Sequence, residues 1–268
     1  TIAQRIVRAK RTLTARRVPF ELPSRAEIPG RLTSVLEVIY LMFNEGYAAT
    51  AGQDWMRPPL CAEAMRLGRV LAGLMTREPE AHGLVALMEL QASRVGARTD
   101  PAGEPVLLAD QDRRRWDRLL IRHGLHALVR ARSLGGPPGP YEVQAEIAAC
   151  HAQARSVQAT DWERVAALYV VLGHLTPSPV VELNRAVAAG MAYGPARGLE
   201  IADKLVTNPA LASYAHLPAV RGDLLAKLGR LEEAREEFGR AAALTGNERE
   251  RALFRARADA CVTAVSGS

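Results

Sequence analysis

Asn44 and Glu45 form the sharpest polar pair in the chain, at the end of an apolar helical stretch beside Tyr40, Tyr47 and Trp55. Such a set either closes a buried hydrogen-bond network or lines a pocket for a small ligand. Other chemistry-bearing residues point away from catalysis. His123 and His126 lie three apart, on one face of a helix, but no carboxylate at metal-ligand spacing completes a zinc set. Cys150 and His151 are adjacent, and adjacent residues diverge on a helix, so they make no thiol–imidazole pair. Gly135–Pro140 has no following Lys-Ser/Thr and follows no strand, so it is not a phosphate loop. Glu45, Asp110 and Asp112 read as helix caps and surface charges rather than an acidic site. No enzyme activity, metal or cofactor is expected. At the start of the chain, Gln4 and Arg5 are side chains that pair bidentately with adenine and guanine, and Arg8, Lys10 and Arg11 suit phosphates. The same stretch also fits an ordinary basic amphipathic helix.

The elements that must position these residues are helical. A basic helix is expected over 1–17, then a linker over 18–30 with three prolines between Val18 and Pro29. Proline removes an amide donor and disfavours helix at the preceding residue, so a domain boundary is placed there. Leu32, Val35, Leu36, Ile39, Tyr40 and Phe43 recur at helical spacing over Arg31–Glu45, with Gly46 as a left-handed C-cap. Helices follow near 58–75, 81–93 and 111–133. Between the last two, 94–109 carries a Pro-Ala-Gly turn between short extended stretches, read as a β-hairpin or an ordered loop.

From about 145 to 264 a repeat emerges. Val165, Gly198 and Ala234 occupy one position; Tyr169, Ala202 and Phe238 a second; Leu172, Leu205 and Ala241 a third. A period near ~34 residues is the tetratricopeptide signature. The third unit matches best, through Gly222, Leu225, Gly229, Leu231, Ala234, Phe238 and Ala241. Thr160 with Glu163, and Asn247 with Glu250, are expected to cap helices, the latter opening a final helix over 248–264.

Composition fits a globular chain: 48% hydrophobic and 24% charged residues. No apolar run reaches the ~18 residues needed to cross a bilayer. The net charge of +6 is local. Residues 1–31 hold eight Lys/Arg against Glu21 and Glu27, and the remainder is neutral. A local basic footprint fits nucleic acid, and equally a basic linker. Cys61, Cys150 and Cys261 match no disulfide or zinc spacing and read as small buried hydrophobes in a reducing cytoplasm.

Thr1, Ile2, Arg5, Ile6, Arg8, Ala9, Lys10, Arg11 and Leu13 fall in register with the last helix of the promoter-binding domain of extracytoplasmic-function sigma factors, which this segment resembles. The rest resembles the C-terminal extension of one group of that family. The matching runs are Ile39–Tyr47, Leu60–Ala64, Asp110–Arg113 with Trp116-Asp117, Gly139–Tyr141, Ala148–Ala152, Asp161-Trp162, Ser178–Ala186 and Ala243–Asn247. They cover nearly the whole chain in order. The resemblance implies that Thr1, Gln4 and Arg5 face bases in the −35 element while Arg8, Lys10 and Arg11 meet phosphates. It implies a fragment lacking the core-binding region, and an extension that controls or supports sigma activity. Core RNA polymerase and promoter DNA are then partners of the intact protein, and the helical array contacts its own sigma regions or another protein. The expectation is an all-α protein in the cytoplasm with no membrane partner. A stand-alone tetratricopeptide adaptor and a small-molecule sensor stand as alternatives.

Overall fold

A computed structural model describes residues 27–49 and 54–266, together with Arg11, Thr12, Ala15 and Ser24. The expected basic helix over 1–17 and most of the linker over 18–30 lie outside the described residues. Arg11, Thr12 and Ala15 are helical and exposed. The chain divides into two compact units, residues 1–37 and 38–268.

The described residues are all-α. Eleven α-helices run in order: α1 Ile28–Tyr47, α2 Pro58–Leu74, α3 Pro79–Ala92, α4 Arg118–Ser133, α5 Pro140–Gln153, α6 Trp162–Leu175, α7 Pro179–Tyr193, α8 Pro195–Asp203, α9 His216–Lys227, α10 Leu231–Leu244 and α11 Glu248–Ser266. Proline opens α2, α3, α5, α7 and α8, where its missing amide is one the helix would leave unpaired anyway. In the first unit, Ser24 donates its amide to the Glu27 carboxylate at 2.9 Å and its hydroxyl at 2.7 Å, ahead of α1. No helix among the described residues is long and apolar enough to cross a membrane.

In the second unit α3 is the hub. Ten of its fourteen residues are buried, and α2, α4 and α5 pack around it. A helix apolar on all sides must be enclosed on all sides. Its first turn also caps a neighbour: the Glu80 carboxylate accepts from the amides of Tyr141 and Glu142 at 2.9 and 3.0 Å, closing the start of α5. From α5 onward the helices pack mainly on their neighbours in sequence. One core forms around Val143, Val165 and Leu172, and another around Leu183, Leu224 and Phe238. The repeat positions fall where the register puts them. Val165, Gly198 and Ala234 are buried, as are Ala202, Phe238, Leu172, Leu205 and Ala241. Tyr169 is half-buried. A Cβ added to Gly222 would sit 2.8 Å from the Phe238 ring, so the ring fits only because that position of α9 has no side chain. The second unit of the repeat departs most. Its helix α8 is nine residues long, and a 3₁₀ turn at Pro209–Leu211 follows.

Several local expectations are corrected. Gly46 is not a left-handed cap. It lies within α1, and its Cβ would meet the Cys61 amide nitrogen at 2.6 Å, so it permits close approach of α2. The helix expected over 111–133 starts at Arg118, because Asp117 accepts from the amides of Leu119 and Leu120 and fixes the start there. Asp161, not Thr160, caps α6 by accepting from the Arg164 amide at 2.9 Å; the Thr160 hydroxyl is turned back to the Ser156 carbonyl. Asn247 does cap α11, accepting from the amides of Arg249 and Glu250. The linker ends earlier than 30, since α1 begins at Ile28. The 94–109 segment is an ordered loop with one isolated bridge, Thr99 to Pro105, between 3₁₀ turns at Val95–Ala97 and Leu108–Asp110.

Candidate functional site, an arginine and aromatic centre

Four elements converge on one polar centre in the second unit. The end of α1 supplies Tyr40, Asn44 and Tyr47. The turn after α3 supplies Arg94 and Arg98. The 3₁₀ turn Arg113–Arg115 and its next residue supply Arg113 and Trp116. The end of α5 supplies His151. The loop between α3 and α4 is held in place by its own bonds. The Asp117 amide donates to the Ser93 carbonyl and the Val106 amide to the Arg98 carbonyl, both at 2.8 Å.

The arginines lie on aromatic faces. The Arg98 guanidinium carbon sits 3.6 Å from the Tyr47 ring centroid and 4.6 Å from that of Trp55. Its Nη1 donates to the Tyr47 carbonyl at 2.8 Å. Arg94 lies 5.9 Å from the rings of both Tyr47 and Trp116, and Arg113 lies 4.6 Å from Trp116. These are cation–π distances, stronger where water is excluded. Arg113 Nη1 donates to the carbonyls of His151 and Ala154. No carboxylate pairs with Arg94, Arg98 or Arg113 among the described residues.

This unbalanced charge shapes the titration of its neighbours. Burial, with Arg94 and Arg113 adding to it, pushes His151 down to about 4, so the imidazole is neutral near pH 7. Its ring meets Trp162 edge-on at 5.1 Å. Burial pushes the Tyr169 phenol up to about 12, with Arg94 opposing the rise. Burial lowers the pKa of Arg98 and Arg113 as well, and repulsion from Arg94 adds to both. Four buried polar atoms here have no protein partner: Gln111 Oε1, Arg113 Nη2, Trp116 Nε1 and His151 Nδ1.

The expected pocket residues divide. Tyr40 donates to Gln144 Oε1 at 3.1 Å and packs edge-on against Tyr141 at 5.5 Å; burial raises its phenol. Asn44 lies beside the Tyr40 hydroxyl and opposes that rise. Tyr47 stacks on Phe43 and lies under Arg98. Glu45 pairs with Arg57 at 2.9 Å, which makes it a structural ion pair. Of the expected DNA-contacting residues, Thr1, Gln4, Arg5, Arg8 and Lys10 lie outside the described residues, and Arg11 is helical and exposed.

The remaining candidates are structural. Asp112 caps its own turn and grips Arg114, which holds its carboxyl below the usual range. Cys150 is a thiol pushed up by burial, and all three cysteines are free. His123 and His126 line an open groove of about 800 Å³ with His82, Arg69, Glu89 and Arg130. No group of three or more His, Cys, Asp or Glu among the described residues has the arrangement to hold a metal ion. In the sequence Gln111, Arg113 and Trp116 stand out only within the matching runs, His151 also as the neighbour of Cys150, and Arg94 and Arg98 not at all. The available signal was a short stretch with two arginines and no acidic residue, Arg94–Arg98.

A protein family described as Family of unknown function (DUF6596) matches residues 31–132. That span holds Tyr40, Tyr47, Arg94, Arg98, Arg113 and Trp116; His151 and Tyr169 lie beyond it. A protein of Rhizobium meliloti (strain 1021), described as uncharacterized, is 46% identical over 256 residues. The matched part is 96% of this chain and 60% of that protein, so the chain spans about three-fifths of the relative's length.

Proposed function

We propose that this chain is the C-terminal control region of an extracytoplasmic-function sigma factor, acting in the cytoplasm in transcription initiation. The observation that carries the reading is the ordered series of matching runs from Ile39 to Asn247, preceded by the basic helix pattern of Thr1 to Leu13. The geometry gives the runs a common physical purpose. Tyr40 meets Tyr141, Arg113 meets the carbonyl of His151, His151 meets Trp162, and Asn247 reaches the Asp54 carbonyl at 3.1 Å. Residues far apart in sequence thus build one framework. A stack of helix pairs offers a neighbouring domain or a partner helix an extended surface. In this reading the array binds the sigma factor's own DNA-binding regions or the polymerase, and Thr1, Gln4 and Arg5 read the −35 element.

The test compares the intact sigma factor with one lacking residues 31–268, in transcription from its own promoter with core polymerase. A change in output of several-fold, in either direction, is expected. Equal output from both forms rejects the reading. A second reading, a small-molecule sensor, gains support from Arg94, Arg98 and Arg113, which pair with no carboxylate among the described residues.

A further inference from the structure

We propose that Arg94, Arg98 and Arg113 form a binding site for a small ligand bearing an oxyanion, a phosphate or carboxylate group. The first argument is charge. Three guanidinium groups surround Tyr47 and Trp116, and Arg98 is only 7% exposed. Arg98 and Arg113 each feel the positive charge of Arg94, and no carboxylate among the described residues pairs with them. Gathering and burying like charges is unfavourable unless an anion joins them.

The second argument is hydrogen-bonding capacity. Arg94 makes no side-chain hydrogen bond or ion pair among the described residues. Arg113 Nη2 and Trp116 Nε1 are buried donors without acceptors, and His151 Nδ1 has no partner either. The other orphan, Gln111 Oε1, belongs to an amide whose Nε2 donates to the Val106 carbonyl at 3.2 Å. The unpartnered donors Arg113 Nη2 and Trp116 Nε1 therefore suit a ligand rich in acceptors. Guanidinium forks match phosphate and carboxylate geometry, and the aromatic faces fix the guanidinium planes in advance.

The third argument is contrast. Other partly buried arginines meet carboxylates: Arg185 pairs with Glu182, Arg221 with Asp203 and Glu237, and Arg257 with Asp223. The neutral imidazole of His151 is compatible with a free cationic centre, and it regains a proton more easily once an anion is bound. Binding is a property of this chain alone, so its outcome is separable from the transcription reading.

The experiment is thermal denaturation and isothermal titration of the chain with inorganic phosphate, phenyl phosphate and benzoate, each against chloride at equal ionic strength. Saturable binding of at least one probe is expected, with Tm rising with its concentration as mass action requires. Which probe binds identifies phosphate or carboxylate. Arg94→Gln is expected to weaken binding at least tenfold, because it removes the guanidinium that has no hydrogen bond or ion pair of its own among the described residues. Arg66→Gln, on an exposed ion pair, leaves binding intact. A response equal to that of chloride overturns the proposal. So does binding that Arg94→Gln does not weaken.

Discussion

His151 gives the sharpest test of the electrostatics at the polar centre. Its folded value of about 4 lies below the ordinary 6.5 because burial and the charges of Arg94 and Arg113 oppose protonation. The surrounding elements contribute Trp162 and the Arg113 contact to its carbonyl; no carboxylate acts on it. A group whose folded value is depressed binds fewer protons in the native state than in the unfolded one. Stability is therefore full above pH 6.5, falls as pH drops because the unfolded chain protonates first, and stops falling below about 4. At 1.36 kcal/mol per pH unit, the shift corresponds to roughly 3 kcal/mol lost across that window. His151→Asn removes the titration. Urea denaturation of both proteins at pH 7, 6, 5 and 4 isolates the effect, since carboxylates common to both cancel in the difference. The native protein should lose about 3 kcal/mol more than the variant between pH 7 and pH 4, mostly below pH 6. Parallel stability curves would refute the account, meaning that His151 is solvated or that an acid neutralises its surroundings.

Two further outcomes follow from packing and capping. Phe238→Ala should cost about 3–5 kcal/mol as a large buried ring is lost, and Gly222→Ala about 1–3 kcal/mol from the clash with that ring. Because the two residues touch, the double variant should be less destabilised than the sum by roughly 1 kcal/mol or more; additive values in urea denaturation would show that α9 and α10 do not pack there. Asp161→Ala should cost about 1 kcal/mol through loss of the α6 cap, while Glu163→Ala costs a few tenths at most. The reverse order, measured as the same unfolding free energies, would restore Thr160–Glu163 as the capping pair.

Much of the fold is legible in the sequence because helical periodicity and proline placement act locally. The spacing of Leu36, Ile39 and Phe43 indicates α1, and Pro58, Pro79, Pro140, Pro179 and Pro195 mark helix starts wherever the preceding segment breaks. The repeat register points to the buried Ala234, Phe238 and Ala241, since a period of helix pairs forces small and large residues to alternate at the contact. Competing caps are harder: Thr160 and Asp161 both suit the start of α6, and only the direction of the chain entering the helix selects between them. Gly46 fits a helix end by composition, yet the decisive fact is the closeness of Cys61, which no local pattern contains.

The candidate site shows the same division more sharply. The sequence by itself determined that the chain is helical, that its excess positive charge is concentrated at residues 1–31, and that Tyr40, Asn44 and Tyr47 share one helix end. Only the tertiary structure decided that Glu45 is consumed by Arg57, while Arg94, Arg98, Arg113 and His151 gather around Tyr47 and Trp116 without a counter-charge among the described residues. The physical reason is range. Helix formation is settled within a few residues, whereas the energy of a charge depends on every group the fold brings beside it, and those groups come here from four separate segments.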